Sequence, residues 1–202
     1  MQEAFPRINL QLTSPREPLS DDVVANLVAG YALVDNLVAD DVDVFAMGKL
    51  KYLLELNATV LCGTDPVSRA EYARHREITE TRFYEEPDGG IQYLVQWYEA
   101  HAHDSAWIRA AGVYVRLLSR PQLFVEGNHR TGALAMSYIL AREHEPPFVL
   151  SPETAAPYFE RAMVMRATDK QGLSMLFRSP GVIKRLADFL VEHADSRYLI
   201  GR

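Results

Sequence analysis

The chain of 202 residues is 48% apolar and 24% charged, which suits one well-packed domain and is too short for two ordinary ones. Its formal net charge of −6 provides no global electrostatic footprint for nucleic acid or an anionic membrane, so we expect neither partner. The single cysteine, Cys62, excludes an internal disulfide and a zinc site built from several cysteines.

The N-terminal residues 1–19 contain three prolines and no sustained periodicity, which predicts an extended lead-in. They lack the basic start and following apolar stretch that are typical of a secretory signal. No uninterrupted apolar run approaches the length of a membrane span. We therefore expect a cytoplasmic protein.

Two helices are predicted next. Ser20 offers a side-chain oxygen as an N-cap, and the apolar residues after it recur at helical spacing to about Val38. A second helix is predicted from about Val44 to Leu61, with Met47 on its apolar stripe and Gly63 at its end.

Residues 72–87 predict a different structure. Side chains that favour β-structure lie among charges between Ile78 and Tyr84, and a Pro-Asp-Gly-Gly turn follows them. This pattern favours a short β-hairpin or extended flap.

The rest of the chain is predicted to be helical, with elements near 91–98, 105–119 and, after a loop at 120–129, around 134–139. Ser151-Pro152-Glu153 and Ser179-Pro180 are typical helix starts, with a hydroxyl cap before a proline at the first helical position. The sequence thus predicts a mainly α fold, a single helical domain over residues 20–202 with a short β-hairpin flap.

One stretch between two predicted helices carries the chemistry, residues 122–133, QLFVEGNHRTGA. A glycine turn leads into a helix whose first amides lack partners within the helix and, with the helix dipole, favour an anion such as phosphate. Arg130 adds a planar guanidinium suited to phosphate oxygens, and a divalent cation would bridge the Glu126 carboxylate to such an anion. The alternative is an ordinary helix start, in which Asn128 is the cap and Glu126 is simply solvated.

This stretch resembles the motif of the Fic (fido) family, H-x-F-x-[D/E]-G-N-G-R-x-x-R, whose second half is often GNGRTGR. The matching positions, in order, are Phe124, Glu126, Gly127, Asn128 and Arg130, and Thr131 and Gly132 match the common form. The resemblance extends upstream to 72–98 and the predicted helix that ends at Arg120, where the family has its target-docking hairpin and the helix leading into the motif. Downstream it extends to 146–151 and 157–163, and in all it covers about residues 45–190. It implies a helical fido domain with a flap over a cleft.

The resemblance also implies a nucleotide site. The residues that would bind phosphate or nucleotide are Gly127, Asn128, His129, Arg130 and Gly132. The implied cofactor is Mg²⁺ with ATP or another nucleotide, and Glu126 is its metal ligand. The flap residues that would dock a protein target or regulatory partner by strand addition are Ile78, Thr79, Glu80, Thr81 and Arg82.

Three defining positions differ from the motif. In the family, the motif histidine takes a proton from a target hydroxyl, which then attacks the α-phosphate of ATP and so acquires AMP. Gln122 stands in that position here, and an amide cannot act as a base near neutral pH. His129 replaces the second glycine, and Ala133 replaces the final arginine, which resembles a clamp on the terminal phosphates.

Two functions remain open on these residues. The first is a Fic-related protein that binds a nucleotide or phosphate but is impaired or inactive in AMP transfer. The second is an active nucleotidyl- or phosphoryl-type transferase with altered chemistry, in which His129 is the substitute base. The alternative role for His129 is that of a surface or packing histidine.

Overall fold

The computed structural model describes residues 1–85, 90–166 and 173–199. Within these ranges the chain forms ten α-helices and a short 3₁₀ helix, Ser196–Tyr198, with no β-strand. The α-helices are α1 Phe5–Asn9, α2 Asp21–Ala39, α3 Lys51–Cys62, α4 Pro66–Glu71, α5 Ala73–Glu85, α6 Ile91–Ala100, α7 Ala106–Leu118, α8 Asn128–Arg142, α9 Pro152–Arg166 and α10 Leu173–Glu192. The predicted mainly α fold is confirmed.

The central element of the core is α7. Ser105 caps it by accepting a hydrogen bond from the backbone N–H of Ile108, and Val113, Tyr114 and Leu117 are all buried. It packs against α6, α8, α9 and α10, and a helix surrounded in this way must be apolar nearly all round. Each fully buried large apolar side chain contributes about 1.5–3 kcal/mol to the stability of the fold. The packing therefore holds α7 firmly in place, and with it the start of the motif loop.

A second layer is formed by α2 and α3, which pack against each other and against α8. Ser20 caps α2 as predicted, because its Oγ accepts a hydrogen bond from the N–H of Val23. By length and composition alone, α2 would be able to cross a membrane. A single helix of this kind is weak evidence for a span, because core helices of soluble proteins and signal sequences near an N-terminus meet the same criteria. Most of α2 is not buried, although it packs against α3 and α8.

The predicted start of the second helix is wrong. Gly63 does end α3, in a backbone conformation with a φ of +67°, but α3 begins only at Lys51. Residues 44–50 form turns and a bend, in which Gly48 has a φ of +76° that an α-helix cannot accommodate. Met47 is therefore 98% exposed instead of lying on an apolar stripe.

The predicted β-hairpin flap is also wrong. Residues 66–85 form α4 and α5, and the turn residues 86–89 lie outside the described part of the chain. Thr79 and Phe83 lie four residues apart, so a helix brings both to one buried face, and the Phe83 ring stacks on Phe124 at 5.6 Å. The β-propensity of the sequence is a weak preference, and this burial overrides it.

Two further boundaries differ from the sequence prediction. The lead-in is not wholly extended, because it contains α1, which packs against α9 through an edge-to-face contact between Phe5 and Phe159 at 6.2 Å. Pro180 does not start a helix but lies inside α10. Beyond it, Ile183 and Leu186 continue the buried face of α10, whose burial outweighs the cost of about 3 kcal/mol for an internal proline.

Candidate functional site

The loop between α7 and α8 is shaped by Asn128. Its Oδ1 accepts a hydrogen bond from the backbone N–H of Phe124 at 2.9 Å, and its Nδ2 donates to the Phe124 carbonyl at 2.8 Å. Asn128 therefore braces the loop instead of capping α8, and no side chain caps that helix. The cap that the alternative interpretation placed at Asn128 does not form, whereas Glu126 is exposed, as that interpretation expected.

The turn into α8 requires glycine. Gly127 has a φ of +72°, and a Cβ on it would lie 2.9 Å from Nδ2 of Asn57. That same Nδ2 donates hydrogen bonds to the Glu126 carbonyl at 2.9 Å and to Oγ1 of Thr131 at 3.0 Å. Asn57 thus ties α3 to both sides of the turn. Sequence reasoning missed this residue, since a lone amide within an apolar helix gives no signal of its partners.

A pocket of about 420 Å³ opens at the start of α8. The first amides of α8 have no partners within the helix, and the helix dipole makes this end attractive to an anion. The motif loop and the first turn of α8 line part of it, and the rest of the lining comes from α1, residues 15–19, α2 and α9. The lining residues are Phe5, Pro15, Arg16, Glu17, Pro18, Leu19, Val23, Gln122, Val125, Glu126, Gly127, Asn128, His129, Arg130 and Phe159.

Arg130 is anchored at the end of α3. Its Nη1 donates a hydrogen bond to the carbonyl oxygen of Val60 at 2.8 Å, and the side chain is half-buried in the wall of the pocket. One edge of the guanidinium therefore bonds the protein, which limits the rotation of a long side chain. A pre-positioned guanidinium loses less conformational freedom when it binds an oxyanion.

Glu126 and Gln122 lie on the same pocket wall. The side chain of Glu126 is exposed, whereas Gln122 is half-buried. The Gln122 amide makes two long contacts of 3.4 Å, one to the Leu118 carbonyl and one to Nδ2 of Asn128. The structure thus brings Gln122 to the same pocket as the start of α8.

His129 lies in the first turn of α8 between two polar groups. Its Nε2 is 2.9 Å from Nη1 of Arg16, and its Nδ1 is 3.1 Å from the hydroxyl of Tyr114. Neither contact was foreseen from the sequence, because Arg16 lies 113 residues away.

Gly132 lies in the contact between α7 and α8. It is buried on α8, and a Cβ there would lie 2.6 Å from Cδ2 of Tyr114, so glycine lets α7 and α8 approach closely. It is not among the residues that line the pocket, and its contact with phosphate remains a prediction. Ala133 follows it, partly buried against the core.

The predicted flap residues lie on α5 and are not among those that line this pocket. Ile78, Glu80 and Thr81 are exposed, and Thr79 is buried. Arg82 does reach the motif, because its Nε donates a hydrogen bond to the Gln122 carbonyl at 2.9 Å. The segment therefore supports the loop from one side without offering the strand edge that was predicted.

Within the described ranges, no group of three or more His, Cys, Asp or Glu side chains is arranged to hold a metal ion. A cation at Glu126 would need other oxygen ligands, from water or from a bound phosphate.

No family model, no curated protein and no solved structure matches this chain. The interpretation of the site accordingly depends on its own residues.

Proposed function

We propose that this protein binds a nucleotide or a related phosphate compound in the pocket at the start of α8, and that it is a Fic-related protein impaired in standard AMP transfer. The observation that carries the proposal is the uncapped N-terminus of α8, which opens into a pocket beside Arg130. Unpaired amides, the helix dipole and a guanidinium all favour an oxyanion at one place.

The apolar part of the lining supports a ligand that is more than an inorganic anion. Phe5, Leu19, Val23 and Phe159 add apolar surface to the pocket that the polar loop also lines. A volume of about 420 Å³ lies within the range of small-molecule sites, which combine apolar walls with a few placed polar groups. A nucleotide suits such a site, because its flat base can pack on the apolar walls and its anionic phosphates can bind the polar groups.

Glu126 fits a role as a magnesium ligand in such a complex. Mg²⁺ sites for nucleotides take one or two carboxylates from the protein and complete the shell with phosphate oxygens and water. Glu126 is a single exposed carboxylate on the pocket wall, which matches that pattern and does not form a metal site by itself. Bound there, the ion would neutralise phosphate charge.

The impairment follows from Gln122. Transfer to a hydroxyl needs a proton acceptor within hydrogen-bond reach, and an uncharged amide has only a very weakly basic oxygen. Loss of a general base typically costs on the order of 10²–10⁴-fold in rate. The absence of an arginine at position 133 removes a second contact that the resemblance implies.

The alternative function, a transferase that uses His129 as its base, has one observation in its favour, since His129 lines the same pocket. Both of its ring nitrogens are in contact with protein groups, Arg16 and Tyr114, which counts against free access to a proton on a ligand. We therefore prefer the binding function.

Calorimetric titration of the purified protein with ATP, ADP and pyrophosphate, each with and without Mg²⁺, tests this proposal. We expect saturable binding of at least the nucleotides, strengthened by Mg²⁺ through Glu126. A Glu126→Gln variant should bind with much less dependence on Mg²⁺. If none of the compounds binds at millimolar concentration, the proposed function is wrong.

A further inference from the structure

We propose that Arg16 is a positioning residue for His129, which it fixes as the neutral imidazole with the proton on Nδ1. The argument starts from the 2.9 Å contact between Nη1 of Arg16 and Nε2 of His129. A guanidinium has donors only and no acceptor. The His129 nitrogen must therefore be the acceptor in this contact, and it carries no proton.

The second nitrogen then has a defined role. In a neutral imidazole one nitrogen is protonated, so Nδ1 carries the hydrogen and donates it to the Tyr114 hydroxyl at 3.1 Å. Burial raises the pKa of Tyr114, so this group stays a hydroxyl, whose oxygen has lone pairs that accept the hydrogen bond. The close approach of Gly132 to the Tyr114 ring holds the acceptor in place.

Arg16 is itself held by the N-terminal segment, residues 1–19. The backbone N–H of Arg16 donates to Oδ1 of Asn9 at 2.6 Å, and Nδ2 of Asn9 donates to the Arg16 carbonyl at 2.9 Å. The Arg16 guanidinium also lies 5.2 Å from the ring centre of Phe159, on the helix against which α1 packs. These contacts hold Arg16 in place where the segment lines the pocket.

The consequence concerns the chemistry of the pocket, and this step rests on the proposed function. A general base needs a free lone pair directed at the hydroxyl. While Arg16 is in place, the Nε2 lone pair of His129 is used within the protein. His129 can accept a proton from a bound ligand only when the Arg16 guanidinium leaves Nε2. With Arg16 in place, the site favours binding of a phosphate compound over transfer with His129 as the base.

The test is ¹⁵N–¹H correlation spectroscopy of the histidine rings in the ligand-free protein near pH 7.5. His129 signals are assigned by their loss in His129→Gln. We expect the wild-type ring to be neutral with the proton on Nδ1, and Arg16→Ala to shift it to the other tautomer or to a mixture. Arg16→Gln retains an N–H donor without the charge and should keep the wild-type pattern. Arg7→Ala, an exposed arginine on α1, is the matched control and should change nothing.

A wild-type His129 that is positively charged, or that is protonated on Nε2, would overturn the inference. An Arg16→Ala spectrum identical to that of the wild type would do the same. If Arg16→Ala does not fold, Asn9→Ala loosens the same contact and gives the same comparison. Since these spectra need no ligand, they are independent of the nucleotide titration. Failure of the proposed function and failure of the Arg16 role are therefore distinguishable.

Discussion

The side chain of Asn57 holds the backbone of Glu126: its Nδ2 donates to the Glu126 carbonyl at 2.9 Å, from a residue that is only 2% exposed. The same nitrogen reaches Thr131 on the other side of the turn. One amide of α3 therefore fixes the geometry of the loop that leads into α8. This makes the pocket dependent on a helix far away in sequence.

Asn57→Ala should destabilise the fold and loosen the pocket. The change leaves the Glu126 carbonyl and the Thr131 hydroxyl without their donor, which costs about 1–3 kcal/mol for buried groups. Urea unfolding followed by circular dichroism measures the loss. Asn36→Ala, an exposed asparagine on α2, is the control and should change stability by no more than about 0.5 kcal/mol. Equal stabilities for the two variants would mean that the Asn57 contacts do not form in solution.

Gly127→Ala should cost more than Gly48→Ala, although both glycines have a positive φ, of +72° and +76°. Each substitution incurs the backbone cost of roughly 1–2 kcal/mol for a left-handed alanine. Only at Gly127 does the added Cβ also meet another residue, at 2.9 Å from Asn57, whereas nothing lies within 4 Å at Gly48. The difference in free energy of unfolding isolates the contact. A larger loss for Gly48→Ala would contradict the described turn.

Arg130→Ala should weaken nucleotide or pyrophosphate binding by about tenfold or more. A hydrogen bond to a charged group contributes about 1.5–3 kcal/mol, and 1.4 kcal/mol corresponds to a factor of ten in affinity. Arg74→Ala, an exposed arginine on α5, is the control for the loss of one positive charge. Because Arg130 also bonds Val60, thermal unfolding of each variant must show that the fold is retained. Equal affinities for the two variants would exclude an anion beside Arg130.

The sequence predicted most helices well where capping and apolar spacing act together. Ser20 caps the helix that it was expected to cap, and α7 spans most of the predicted helix at 105–119. The errors lie where tertiary contacts decide. A helix on residues 73–85 gains the buried stacking of Phe83 on Phe124, which no local pattern contains. The β-forming residues around it gave a plausible but incorrect hairpin.

The motif loop was placed correctly between two helices, but its partners were not predictable. Asn57 and Arg16 reach it from residues 69 and 113 positions away in the chain. The spacing of apolar residues describes one helix by itself. It therefore identifies Asn57 as a polar residue on α3 without identifying the turn that it binds. The lead-in was expected to be extended, whereas in the structure Phe5 packs on Phe159 and residues 15–19 line the pocket.

The thiol of Cys62 should react slowly with disulfide reagents at neutral pH. Burial is the largest influence on this thiol and raises its pKa, whereas the nearby Arg69 lowers it by less. A raised pKa means a smaller thiolate fraction at any pH below it, so the rate should rise only at higher pH than for an ordinary cysteine. Rates of reaction with a chromogenic disulfide from pH 6 to 10 measure this, with the urea-unfolded protein as the reference. A midpoint below that of the unfolded protein would contradict the direction of the shift.

The native protein should transfer little or no AMP to itself or to lysate proteins when incubated with labelled ATP and Mg²⁺. Gln122 faces the pocket but cannot accept a proton, and position 133 carries no charge. Gln122→His alone should be insufficient if the other two motif positions matter. The triple variant Gln122→His, His129→Gly and Ala133→Arg should give detectable self-modification.

The triple variant also alters the packing of the pocket, so its folding and its ATP binding must be checked as controls. His129→Gly removes the contacts to Arg16 and Tyr114 and places a glycine in the first turn of α8, at a cost of up to about 1 kcal/mol. Each variant must therefore melt cooperatively and bind ATP before its activity is interpreted. Strong transfer by the unmodified protein would show that another residue is the base, and His129→Gln would then identify or exclude His129. A folded triple variant that binds ATP and stays inactive would show that the catalytic loss extends beyond the motif, because a base, a clamp and a loop glycine would all be present without effect.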